Sequence, residues 1–156
     1  MLSDDVFRSR LMATIESIRY FVPSIADVAH CEEQSDSAYW KVAVAPRTPG
    51  ACPVELILHS TQRYDIMVAG EAYEDRQIVS LDVFVPLIMA ISEACVIERS
   101  WYSLGTGSRV ARETLVTLPA GKKWTDSSGL SLIAGIEDTL RHEDRHFLPY
   151  RREHRA

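Results

Sequence analysis

The run Val83-Phe84-Val85-Pro86-Leu87-Ile88-Met89-Ala90-Ile91 carries neither a charge nor a hydroxyl group. A segment apolar on every side cannot rest on a solvated surface, so it belongs in the core or in a contact between subunits. It is too short for a membrane span, which takes roughly 18–20 apolar residues. Proline is tolerated only in the first turn of a helix, so Pro86 places the start between Asp82 and Pro86 and leaves the end near Ala94.

Upstream, Phe7, Leu11, Ile15, Ile18 and Val22 recur at helical spacing behind a Ser3 cap, with Asp4 and Asp5 in the first turn. Pro23 should stop this helix, and Ser24-Ile25-Ala26-Asp27 reads as a capping box for a further turn. Glu32–Ser37 is polar and reads as loop. Three segments then alternate with period two: Tyr39–Ala45, Val54–His59 and Tyr64–Ala69, with Trp40, Val42, Val44, Val54, Leu56, Leu58, Tyr64, Ile66 and Val68 on the inward side. Gly70 to Gln77 is a loop or a frayed strand.

Beyond the apolar helix, Cys95–Leu104 and Ser108–Leu118 should form a hairpin. A two-residue loop would set Glu98 against Glu113 and Arg99 against Arg112, whereas a three-residue Gly105-Thr106-Gly107 loop pairs Arg99 with Glu113, Ile97 with Leu115, Val96 with Val116 and Tyr102 with Val110. The second register is expected. Lys123-Trp124 adds a short return strand. Ser127 or Ser128 then caps a last helix carrying Leu130, Ile133, Ile136, Leu140 and Phe147, ended by Pro149. The order is helix, three strands, helix, two to three strands, helix: an α+β fold with an antiparallel sheet of five to six strands. Residues 1–148 form a single domain, and 149–156 form a basic, frayed tail.

The 156 residues carry a net charge of −5. From Arg141 onward five arginines oppose three acids, so the last segment is +2 and the preceding 140 residues are −7. That acidity disfavours nucleic acid as a partner. Three widely spaced cysteines, Cys31, Cys52 and Cys95, fit no disulfide framework or zinc ribbon and suit a reducing compartment. The N-terminus lacks the pattern of a secretory signal, so a cytoplasmic protein without membrane contact is expected.

The sharpest motif is His142-Glu143-Asp144-Arg145-His146, which satisfies the zincin spacing His-Glu-x-x-His. It is superficially similar to a zincin helix, which implies zinc on His142 and His146 with Glu143 as base. It departs from that family at its charged middle positions. Pro149 and Arg152 stand where the extended pattern wants glycine and histidine, and His154 is the one later histidine. On a helix, His142 and His146 would point away from the apolar stripe, toward solvent. Neither metal nor cofactor is expected. His59 and Cys52 lack a third orienting group for nucleophilic chemistry, and Cys95 reads as a small buried hydrophobe. Arg99, Arg109 and Arg112 could form an anion or carboxylate site beside Glu98, Glu113, Trp101 and Tyr102, or merely a ladder of ion pairs. Gly105-Thr106-Gly107 precedes a strand and is no phosphate loop.

Three functions follow in order of preference. The first is a non-catalytic, protein-binding or self-associating module, a homodimer with Phe84, Leu87, Ile88 and Ile91 in its interface. Element order, size and acidity are similar to those of type III secretion chaperones, which implies a small acidic homodimer that holds a peptide segment. The second is a small-ligand binder or enzyme with a pocket between sheet and helices, lined by Trp40, Tyr64, Trp101 and Tyr102, with His59, Arg99 and Arg112 as polar handles. The third is a metal-dependent hydrolase built on His142, Glu143 and His146.

Overall fold

Helix α1 spans Asp4–Phe21 in a computed structural model that describes residues 1–152. Ser3 has the extended backbone of a cap, and Asp4 and Asp5 occupy the first turn, where carboxylates complement the helix dipole. Phe7, Ile15 and Ile18 are buried, so the apolar stripe is the face that meets the core. Pro23 does not halt the chain at once. It starts a 3-10 turn over Val22–Ile25, a geometry that tolerates the missing N–H.

Five antiparallel strands follow as a meander: β1 Ala29–Ser35, β2 Tyr39–Pro46, β3 Val54–His59, β4 Arg63–Val68 and β5 Glu71–Gln77. The alternation in the three central strands places Trp40, Val42, Val44, Val54, Leu56, Leu58, Ile66 and Val68 in the core. Two strands lacked that signal. Of β1 only Ala29 is buried, and most of the stretch expected as loop is an edge strand paired with β2 from Ala29↔Pro46 to Ser35↔Trp40. Glu33 ties it down by accepting the Trp40 Nε1–H at 2.7 Å and pairing with Arg19 of α1. The chain from Gly70 to Gln77 forms β5, with an irregularity opposite Tyr64 and Ile66. There Asp75 adopts φ 56° and donates its N–H to Asp65 Oδ1 at 2.6 Å.

Ser80 accepts the Asp82 N–H at 3.2 Å and opens a 3-10 turn over Leu81–Val83 that runs into α2, Phe84–Ser92. Pro86 is its third residue, where an N–H would have no intrahelical partner. Left-handed Ala94, φ 68°, turns the chain out of the helix. Phe84, Leu87, Ile88 and Ile91, assigned above to a subunit interface, are at most 2% exposed within the single chain. That assignment is corrected. α2 is covered by α1 and the first sheet and also by Val96, Val116 and Trp124 of a second sheet, so its apolar excess is absorbed.

The second sheet has the order β8-β7-β6-β9, built from β6 Val96–Ser103, β7 Arg109–Thr117, β8 Lys123–Ser128 and β9 Leu140–His146. The hairpin register holds at Val96↔Val116, Ile97↔Leu115 and Arg99↔Glu113. It slips beyond Trp101, so Tyr102 meets Arg109 rather than Val110. The Ser103 N–H bonds the Ser108 carbonyl at 3.0 Å, which makes the loop four residues long.

The last helix is not formed. Ser127 and Ser128 close β8, Leu130–Ile133 is a single turn (α3), and Glu137–Thr139 is a 3-10 turn. Gly129 at φ 83° and Gly135 at φ 87° interrupt the helical spacing. The architecture is therefore α+β with two antiparallel sheets, of five and four strands, in place of one. The helix-terminated order behind the likeness to type III secretion chaperones is not kept.

Past β9 the chain returns to the first sheet instead of fraying at residue 149. Leu148 N–H bonds Gly50 O at 3.0 Å, Tyr150 N–H bonds Ser92 O at 2.9 Å, and the Tyr150 hydroxyl donates to Cys52 O at 2.5 Å. Arg151 forks onto Asp27 at 2.7 and 2.8 Å. Residues 153–156 of the expected tail, His154 among them, lie outside the described residues. Among the described residues no helix is long and apolar enough to cross a membrane.

Candidate functional site

Pleating divides the second sheet into two faces with different chemistry. Toward the first sheet it sends Glu98, Ser100, Arg112 and Thr114, and here the two sheets meet in a polar seam. Glu71 of β5, 9% exposed, is gripped by Arg109 at 2.7 Å and Arg112 at 2.6 Å. Arg112 also donates to Ala72 O at 3.3 Å and lies 5.8 Å from the Tyr73 ring centroid. Tyr73 and Thr114 share a buried hydrogen bond of 2.8 Å, and Arg76 pairs with Asp126 of β8 at 2.9 Å. Arg109 and Arg112 thus form the carboxylate clamp that their spacing suggested, but the carboxylate is the chain's own. Among the described residues the buried Oε2 of Glu98 has no hydrogen-bond partner, nor has Nε of Arg112. Burial and then the Glu71 charge push the Glu98 carboxyl above the usual glutamate range, against Arg145, Arg109 and Arg112.

The outer face carries Ile97, Arg99 and Trp101 of β6, Glu113 and Leu115 of β7, and His142, Asp144 and His146 of β9. Arg99 forms a bidentate pair with Asp144 at 2.7 and 3.0 Å and reaches Glu113 at 3.7 Å. The Arg99 hydrogen bonds hold the Asp144 carboxyl below its usual range. Trp101 donates its Nε1–H to Glu113 at 3.3 Å and lies against His142, ring centroids 4.8 Å apart. Ile97, Trp101 and Leu115 remain half-buried among these charges.

Among the described residues β9 forms one open edge of this sheet, β8 being the other. His142 and His146 lie on a strand, not a helix. Four residues of strand separate them by roughly 13 Å, too far for one ion. Among the described residues no group of three His, Cys, Asp or Glu side chains could hold a metal.

The remaining candidates scatter. Trp40 is in the core. His59 pairs with Asp65 at 2.8 Å on the solvent face of the first sheet. Tyr64 stands edge-on to Phe84, ring centroids 5.1 Å apart, and Tyr102 lies under Arg141, with 4.5 Å from the guanidinium to its ring centroid. The four aromatics therefore do not line one pocket. Cys52 is buried and its thiol is pushed up to about 12 by that burial, which removes it as a nucleophile. Cys95 is exposed rather than buried, because Ala94 turns it away from α2.

Sequence reasoning missed Glu71 and Asp144 as organising carboxylates. The one cue was a surplus of arginines on the hairpin that required partners elsewhere. Two clefts lie apart from both clusters. One of about 260 Å³ between α1 and the β1–β2 turn is lined by Leu11, Met12, Ile15, Trp40 and Leu58. Another of about 270 Å³ is lined by Tyr64, Val79, Val83, Phe84 and Trp124. No protein-family model, curated protein or solved structure matches the chain.

Proposed function

We propose that the protein is a non-catalytic binding module that associates with polypeptide through the outer face and open edge of its four-stranded sheet. The observation that supports this is the juxtaposition on one surface of half-buried Ile97, Trp101 and Leu115 with the Arg99–Asp144–Glu113 ladder, bordered by the unpaired edge of β9. Tryptophan and arginine are enriched at protein interfaces and dominate their energetics. An open strand edge adds main-chain donors and acceptors that another chain can complete.

Amide hydrogen exchange tests the assignment, first across a range of protein concentration and then with extended peptides selected by display. Protection confined to β6 and β9, weakened at least about tenfold in binding by W101A, is expected. Protection on the first sheet, or no protection by any selected peptide or by the chain itself, would overturn it.

A second reading rests on the cleft beneath α1, where Met12 is 48% exposed beside Trp40 and Leu58. An apolar slot of this size accepts a small ligand or one large side chain. A small aromatic amphiphile should change Trp40 emission on binding, and M12W should abolish that change by filling the slot. An unchanged emission would end this reading.

A further inference from the structure

We infer that β9 pairs antiparallel with β9 of a second copy of the chain, with His142 facing itself across a two-fold axis. This deepens the binding-module reading and rests on it. The two sheets end in four edges. Those of β5 and β8 approach each other across Arg76 and Asp126. The β1 edge, Ala-His-Cys-Glu-Glu-Gln-Ser, holds two carboxylates and neither lysine nor arginine, so two such edges would bring four carboxylates together. The β9 edge reads Leu-Arg-His-Glu-Asp-Arg-His, two arginines against two acids. Residues 141–146 are all exposed, and β9 follows β6 for seven residues without a bulge. Charge on an edge strand blunts indiscriminate pairing; charge that complements itself selects one partner and one register.

Symmetry makes that register a short choice. Antiparallel strands related by a two-fold axis normal to the sheet keep their faces, so only residues an even number apart can stand opposite. An axis at Glu143 gives the longest overlap and sets His142 against Asp144. It also sets Arg141 against Arg145 and the two Glu143 carboxylates against each other. An axis at Asp144 keeps two Glu143–Arg145 pairs but sets the two Asp144 carboxylates face to face. An axis at His142 opposes Arg141 to Glu143 of the second copy, twice, and Leu140 to Asp144, with imidazole on the axis. It is the one of the three that places no like-charged pair of acids or arginines in opposition, and opposed like charges destabilise a pair of strands. Arg141 and Glu143, which pair within one chain, exchange that contact for two between chains. The product is a continuous eight-stranded sheet. A pairing of five residues is small for a specific interface, so its dissociation constant should be on the order of 10 µM or weaker.

The test uses the whole chain with C95S, which removes the exposed thiol, and sedimentation velocity from about 1 µM to about 1 mM. The parent should show a reversible monomer–dimer equilibrium. R141E puts acids at both positions and E143R puts arginines at both, so each alone should weaken association at least about tenfold. Mixed in equal amounts the two variants should associate with each other, and R141E/E143R should associate with itself. Single-variant thermal melts close to the parent exclude unfolding as the cause, since both side chains are exposed.

Mild oxidation should link H142C to itself across the axis and should not link R141C or E143C singly, because 141 faces 143. Opposed residues in such a pair are close enough for a disulfide. A monomer at every concentration overturns the inference, as does association indifferent to both charge reversals or linkage at E143C in preference to H142C. If the chain is monomeric while a selected peptide protects β9, the binding-module reading stands and only the self-pairing falls. If neither occurs, both fall.

Discussion

Tyr73 and Thr114, each 1% exposed, join the two sheets through one hydrogen bond that water cannot replace. Removing one hydroxyl leaves the other buried without a partner, which costs more than the net value of the bond. Y73F should therefore destabilise by about 1–2 kcal/mol, and Y73F/T114V should recover most of that loss, since neither side then buries an orphan. Denaturant titrations of the four proteins form the cycle; strictly additive losses would contradict it. The neighbouring Glu71 matters more, because E71A strands Arg109 and Arg112 together beneath the sheet. Both arginines keep partial contact with water, so roughly 2–3 kcal/mol is expected rather than the full cost of a buried unpaired charge.

Glu98 gives the seam an unusual pH response. Its folded carboxyl holds a proton more tightly than the unfolded one, because burial and then Glu71 disfavour the charge. The folded state thus binds more protons over the window between the two values, and stability falls as pH rises through it. The contribution of Glu98 is complete below the ordinary glutamate value and is lost as pH climbs through the raised one. E98Q lacks this titration, so its stability relative to the parent should rise across that window and level off above it. Parallel pH profiles for the two proteins would refute the assignment.

At the scale of elements, legibility followed the apolar pattern. α1 and the three central strands are legible because one face of each is buried and repeats with a helical or strand period, and α2 because its run is apolar on every side. β6 and β7 were placed in register by Glu98, Arg99, Arg112 and Glu113, whose charges penalise the alternative. β1 and β9 carry no such pattern, since almost nothing on them is buried. Their pairing comes from partners far away in the chain: Glu33 with Trp40 and Arg19, Asp144 with Arg99, and His142 with Trp101. Leu130, Ile133, Ile136 and Leu140 imitate a helical stripe, but Gly135 divides it and left-handed Gly129 cuts it off from the Ser127–Ser128 cap. A Cβ on Gly129 would stand 2.6 Å from the Val110 carbonyl, at φ 83°. G129A should cost roughly 2–3 kcal/mol through clash and backbone strain together. G107A, at φ 73° with open space around it, should cost only about 1 kcal/mol for its backbone angle. The candidate site was legible as chemistry, arginines wanting carboxylates, and in the Arg99–Glu113 pair of the hairpin, but not in the rest of its geometry, because Glu71 and Asp144 come from β5 and β9.

For the whole molecule, the unforeseen second sheet raises the question of what makes two sheets fold as one body. α2 and the polar seam supply part of the answer, and the segment after β9 supplies the rest. Tyr150 is 2% exposed and bonds to Ser92 and Cys52, so it anchors the end of the second sheet to the first sheet and to the end of α2. Arg151 meets Asp27 in the open, where solvent screens the pair and it contributes little. Y150A, which removes a buried ring, should cost roughly 3–5 kcal/mol, whereas R151A should leave stability close to the parent's, because water screens an exposed pair. If the ring is what couples the sheets, Y150A should also separate their unfolding. Amides of β6 and β9 should exchange well before those of β3, which has strands on both sides, whereas in the parent their slowest exchange should converge on the global value. A Y150A protein that loses stability yet keeps the slowest exchange of both sheets equal would assign the coupling to α2 and the Glu71 seam instead.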